Sequence, residues 1–165
     1  MSPLFTTHIR PLLEYSSSLW NIGYLGDLRM LEGVQRRWTK TICGMEHLTY
    51  LERLKSLNLY SIQVRLLRHD LIKYWQIFHG ASSIKAEDLF HRSAITHTRG
   101  HQYKIFCVHS QLDIRRRSFS IRSINTWNAL PPSVISSQTV TTFKTSLSNH
   151  LGNFFSSTVN CRVFL

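Results

Sequence analysis

Val64, Leu67, Leu71, Trp75 and Phe78 recur every three or four residues in SIQVRLLRHDLIKYWQIFHG, and only an α-helix gathers such a series on one face. Ser61 stands where an N-cap belongs, and Gly80 where a left-handed C-terminal cap belongs. The same spacing in Leu28, Leu31, Val34, Trp38 and Ile42 predicts a second long helix, opened by Asp27 and stopped near Gly44. Val140, Phe143, Leu147 and Leu151 predict a third, over about 139–151. Shorter helices are expected from Pro11 to before Gly23 and from Thr49, where Thr49 and Glu52 have capping-box spacing. Another is expected from Asp113 through Trp127, ended by Pro131-Pro132.

The expected fold is therefore mostly α, a helical bundle of about five to six helices, and the chain has no internal repeat. One short strand is conceivable near 103–108, where YKIFCV concentrates aromatic and β-branched residues. Segments divide as 1–80 (helical), 81–102 (a Ser-, Thr- and His-rich linker), 103–151 (helical) and 152–165 (a tail without helical register).

Twenty Lys and Arg against nine Asp and Glu leave a formal charge of +11, which favours a nucleic acid or another polyanion as partner. No apolar run approaches the roughly 18 residues of a membrane span, so no membrane partner is expected. Cys43, Cys107 and Cys161 are odd in number and far apart, which favours a reducing, intracellular setting over a disulfide framework.

Catalytic signatures are weak. Two-metal chemistry needs carboxylates converging from several elements, and the one adjacent acidic pair, Glu87-Asp88, sits where it would cap a helical turn. His97 with His101, and Cys43 with His47, lack the second pair that a tetrahedral zinc site requires. Cys43, at the end of an apolar stripe, reads as a small buried hydrophobe. No glycine-rich phosphate loop or nucleophile elbow occurs, so no catalytic residue, metal ligand or cofactor is assigned.

Basic residues interleaved with aromatics stand out instead: Arg36, Arg37 and Lys40 around Trp38; Arg65 and Arg68 before Trp75; Arg115, Arg116 and Arg117 before Phe119. Cationic side chains neutralise phosphates and rings stack on unpaired bases. Trp38, Trp75 and Trp127 fall on apolar stripes and belong to the expected core, which leaves the contact to the charges.

Five strings carry a resemblance: RPLLEYSSSLWN (10–21), LEGVQRRWTK (31–40), YLERLKSLNLYSIQVRLLRHDLIKYWQIFHG (50–80), TRGHQYKIF (98–106) and FSIRSINTWNALPPSVISSQTVTTFKTSLSNHL (119–151). In this order they resemble the C-terminal, thumb and post-palm segment of reverse transcriptases of non-LTR (LINE-type) retrotransposons, the jockey-like kind in particular. The resemblance spans roughly 10–151. It implies a transposable-element fragment of an RNA-directed DNA polymerase that holds template RNA, target DNA or both by the backbone. The family's palm motif of paired aspartates has no counterpart here, so the chain is expected to be inactive alone, and the missing palm and fingers become a further expected partner. A Met1 start inside what is normally a continuous polyprotein implies a truncated element copy or a partial gene.

By the same resemblance Gln35, Arg36, Arg37, Lys40, Arg65 and Arg68 are backbone contacts, and Arg99, in the loop Thr98-Arg99-Gly100, is either a phosphate contact or part of a surface turn. The family's setting implies a nuclear or cytoplasmic location. The competing role is a helical protein-interaction fragment or non-functional relic.

Overall fold

These local signals set the elements of the computed structural model, which describes residues 4–21, 23–92 and 101–157. A π-helical stretch, Phe5–Ile9, runs into α1 (Arg10–Glu14), and α2 (Ser17–Trp20), α3 (Leu25–Lys40), α4 (Tyr50–Ser56) and α5 (Ile62–Phe78) follow. Next come α6 (Ala86–Leu89), α7 (Asp113–Arg116), α8 (Phe119–Arg122), α9 (Ile124–Ala129), α10 (Pro132–Ile135) and α11 (Val140–Ser157). The chain is mostly helical, as the periodicity requires.

Several ends form as their residues dictate. Thr49 and Glu52 make the capping box: Glu52 Oε2 accepts from the Thr49 amide at 2.7 Å, and Thr49 Oγ1 accepts from the Glu52 amide at 3.4 Å. Gly80, at φ +71°, closes α5 in a Schellman motif, with the Ala81 amide on the Gln76 carbonyl at 2.8 Å and the Gly80 amide on that of Ile77. Asn58, at φ 51°, does the same for α4.

Other boundaries move. The first helix breaks at Ser16, which is left-handed. The second begins at Leu25, so Asp27 lies in its first turn and Tyr24 takes the N-cap position. The stretch from Asp113 to Trp127 divides into α7, α8 and the start of α9. Residues 152–157, outside the helical register read from the sequence, continue α11 to Ser157; one interior glycine, Gly152, costs about 1 kcal/mol and does not stop a helix. Residues 158–165 and the 93–100 part of the linker lie outside the described residues.

The 103–108 run is not a strand. Ile105 makes an isolated bridge with Arg92, and the Asn128 side-chain amide grips the Ile105 backbone, accepting from its N–H at 2.9 Å and donating to its carbonyl at 2.8 Å. A side chain thus satisfies the groups that a neighbouring strand would take.

Two units emerge, interleaved along the chain: Met1–Asp70 with His109–Arg122, and Leu71–Val108 with Ser123–Leu165. The second has a conventional interior. Tyr74, Trp75, Phe78, Phe90, Trp127 and Phe143 are buried with Ile124, Ile135, Leu147 and Leu151. Trp127 meets Phe78 with ring centroids 5.6 Å apart and Tyr74 at 5.7 Å.

His101 is buried in the second unit, its Nε2 3.0 Å from the Trp127 carbonyl, while Nδ1 has no partner among the described residues. A neutral ring donating from Nε2 fits; a proton on Nδ1 would be a buried donor without an acceptor. Burial, despite the hydrogen bond to Trp127 and reinforced by Lys104, holds its pKa below the ordinary value. The unfolded chain then takes up the proton first, so stability falls as pH drops through the ordinary histidine value of about 6.5 and levels off below the folded pKa. Thermal unfolding midpoints between about pH 8 and about pH 5 should therefore decline, and His101→Gln should flatten part of that decline. An unchanged slope in a folded variant would contradict this assignment.

Candidate nucleic-acid interface

The first unit buries a run of polar side chains beside its apolar residues Phe5, Leu54, Ile62 and Leu66. Arg10, Glu14, Ser17 and Asn21, at helical spacing, are its buried side chains over 10–21, while Leu12, Tyr15 and Leu19 are exposed. In α3 the buried residues are Gln35 and Thr39, and the predicted stripe of Leu31, Val34, Trp38 and Ile42 is only half-buried. Trp38 stacks on buried Phe5 at 4.1 Å instead of entering a core. Cys43, beyond the helix end, is exposed and is no core hydrophobe.

The cause is a set of polar groups that only polar side chains can satisfy. Gln35 Nε2 donates to the Tyr60 carbonyl at 3.0 Å and to the Tyr50 hydroxyl at 3.1 Å. Thr39 Oγ1 accepts from Arg53 Nε at 3.1 Å, and Glu32 accepts from the Tyr50 hydroxyl and from the Ile62 amide that opens α5. Burial, then the bond to Glu32, pushes the Tyr50 phenol above its ordinary range, so it stays a neutral donor.

This inward turn of the polar flank leaves the basic flank of α3 outside. Arg36, Arg37 and Lys40 are all exposed. The Arg36 guanidinium lies over the Tyr50 ring, 4.9 Å from its centroid, while the residue as a whole stays exposed. Arg29, two turns earlier on the same face, is exposed as well. It was missing from the candidates because no aromatic neighbours it in sequence, although the helical period alone would have found it.

The remaining candidates divide. Arg115 and Arg116 on α7 are exposed, Arg116 in an exposed pair with Asp113 at 2.6 Å that contributes little and that a phosphate can replace. Arg116 and Arg117 both hold the Asp113 carboxyl below its ordinary pKa. Arg117 is half-buried, donating to Asp113 at 2.8 Å and to the Gly23 carbonyl at 3.0 Å, with its guanidinium 5.0 Å from the Tyr24 ring centroid. Arg65 is bound by both Nε and Nη2 to Glu14, so its charge is already matched. Arg68 is half-buried, and burial followed by repulsion from Arg65 lowers its pKa. Every described member of the predicted set lies in the first unit. Arg99 lies outside the described residues.

Glu87 and Asp88 are exposed in the first turn of α6, the place where acids favour a helix start. Among the described residues no group of three His, Cys, Asp or Glu could hold a metal ion. No described helix is long and apolar enough to cross a membrane.

Comparison with protein families, curated proteins and solved structures finds no match.

Proposed function

We propose that the chain is a nucleic-acid-binding fragment of a non-LTR retrotransposon reverse transcriptase, from the thumb side, without a polymerase site of its own. The observation that supports it is the exposed basic face of α3, with Arg36, Arg37 and Lys40 outward while polar neighbours are buried. The five family-like strings supply the reverse-transcriptase part. Backbone charge, not base edges, is the feature such a face recognises, so binding is sequence-tolerant and salt-dependent. RNA template and target DNA are the proposed partners, with Arg115 and Arg116 as further contacts.

Fluorescence anisotropy with labelled single-stranded RNA and duplex DNA across a salt series tests the role. Each phosphate contact contributes about −0.9 to the log-log salt slope on duplex DNA. Arg36→Ala/Arg37→Ala/Lys40→Ala should flatten that slope by up to about 2.7. These positions are exposed, so the variant keeps its fold. A folded wild type that binds neither probe at low salt would refute the role.

A second role, a protein-interaction fragment that docks on a missing palm and fingers or a relic of one, is favoured by the outward apolar residues. Leu12 and Leu19 are 78% and 85% exposed. Absence of nucleic-acid binding would leave this as the stronger account.

A further inference from the structure

One buried carboxylate of the first unit stands between an arginine that holds it and an arginine one turn away on its own helix. Glu14 on α1 is buried, and Arg65 on α5 grips it through the Nε–Nη2 edge, with Nη2 at 2.7 Å. His69 Nε2 stands 3.5 Å from the same carboxylate. Burial, opposed by Glu14 and reinforced by Arg65 and Arg68, lowers the His69 pKa, so this histidine adds no fixed charge. Arg10 is 9% exposed, with its guanidinium 5.8 Å from the Phe5 ring centroid. Its Nε and Nη2 are shielded from solvent and have no acceptor among the described residues.

That edge is the informative part. Arg65 and Arg122 each use Nε and Nη2 to hold a carboxylate bidentately, so the chain twice shows what this edge binds when satisfied. Glu14 is already committed, and burial and Arg65 lower the Arg10 pKa in the same direction as that of Arg68. Arg10 and Arg65 face the single Glu14 carboxylate, and buried guanidinium N–H donors without acceptors are costly. A tetrahedral oxyanion supplies both missing things: oxygens spaced for the arginine fork and negative charge.

We propose that Arg10, on the same helical face as the Glu14 that Arg65 holds, forms a binding site for one oxyanion of the phosphate class, taken through the Nε–Nη2 edge of Arg10. The group is either free inorganic phosphate or a phosphodiester of a bound strand. The site is independent of the α3 face and stands whether or not that face binds nucleic acid.

The test uses the full chain and inorganic phosphate at constant ionic strength, with chloride as the balancing anion. The thermal midpoint should rise saturably with phosphate, and Arg10→Met should weaken apparent affinity by about tenfold or more. If that variant does not fold, the Arg10 Nε–Hε resonance of the wild type replaces it and should move saturably on titration. A midpoint and resonance indifferent to phosphate beyond chloride would overturn the proposal, as would a folded Arg10→Met with wild-type affinity. Adding phosphate to the labelled strand complex identifies the source. Saturable displacement assigns the site to a phosphodiester, and phosphate binding without displacement assigns it to the free ion. Phosphate binding with no strand binding would leave this site standing and remove the nucleic-acid role.

Discussion

Asp70→Ala should destabilise the first unit by about 3–5 kcal/mol, the range for removing one partner of a buried ion pair. The Asp70 side chain is 2% exposed, and Arg122 Nε and Nη2 each reach it at 2.7 Å. The same guanidinium donates to the Asn21 carbonyl and, at 3.4 Å, to that of Ser17. Arg122 thereby ties the 109–122 segment to the two ends of α2 and to α5. Removing the carboxylate leaves a desolvated cation with neutral acceptors, whereas removing both groups leaves neither half of the ion pair buried alone. Asp70→Leu combined with Arg122→Met should accordingly recover much of the loss. Urea unfolding of the two single variants and the double variant gives the coupling directly. A loss under about 1 kcal/mol in Asp70→Ala would mean that water reaches the pair and that its burial is overstated.

Trp127→Ala should cost the second unit about 3–5 kcal/mol, by a different mechanism. The ring is fully buried against Phe78, Tyr74 and Phe143, and its Nε1 donates to the Tyr103 carbonyl at 2.8 Å. Alanine opens a cavity among rings that cannot collapse into it and strands the Tyr103 carbonyl. Trp127→Phe separates the two parts: it keeps most of the packing and should lose about 1 kcal/mol beyond the volume change for the hydrogen bond. Near-UV circular dichroism during urea unfolding follows the loss of ring packing. Equal stability of Trp127→Ala and wild type would exclude this ring from the core.

How much of this could be read in advance follows from how far each signal reaches along the chain. The capping box at Thr49 and Glu52, the left-handed stop at Gly80 and the periods of α5 and α11 are settled by neighbours within two turns. They were legible. So was most of the second unit's core: Trp75, Phe78, Trp127, Phe143, Leu147 and Leu151 are buried as their spacing predicts. The inward turn of Glu14, Ser17 and Asn21 was not, because their partners Arg65 and Arg122 lie far away in sequence. For the same reason the Arg65–Glu14 pair was not legible. The α3 basic face was legible because exposure of Arg36, Arg37 and Lys40 needs no distant partner. Arg10 could have been suspected only from the regular polar spacing with Glu14, Ser17 and Asn21, opposite Leu12 and Leu19.

The polar interior of the first unit also governs how it responds to cooling. Exposing apolar surface raises heat capacity by about 0.45 cal/K/mol/Å², while exposing polar surface lowers it by about 0.26. Unfolding the first unit releases Arg10, Glu14, Gln35, Thr39, Arg53 and Asp70 alongside its few buried aliphatics. The two contributions partly offset, so unfolding the first unit should raise the heat capacity less than burial of apolar groups alone would. The aromatic interior of the second unit should give the more curved dependence, so that cooling weakens that unit the more of the two.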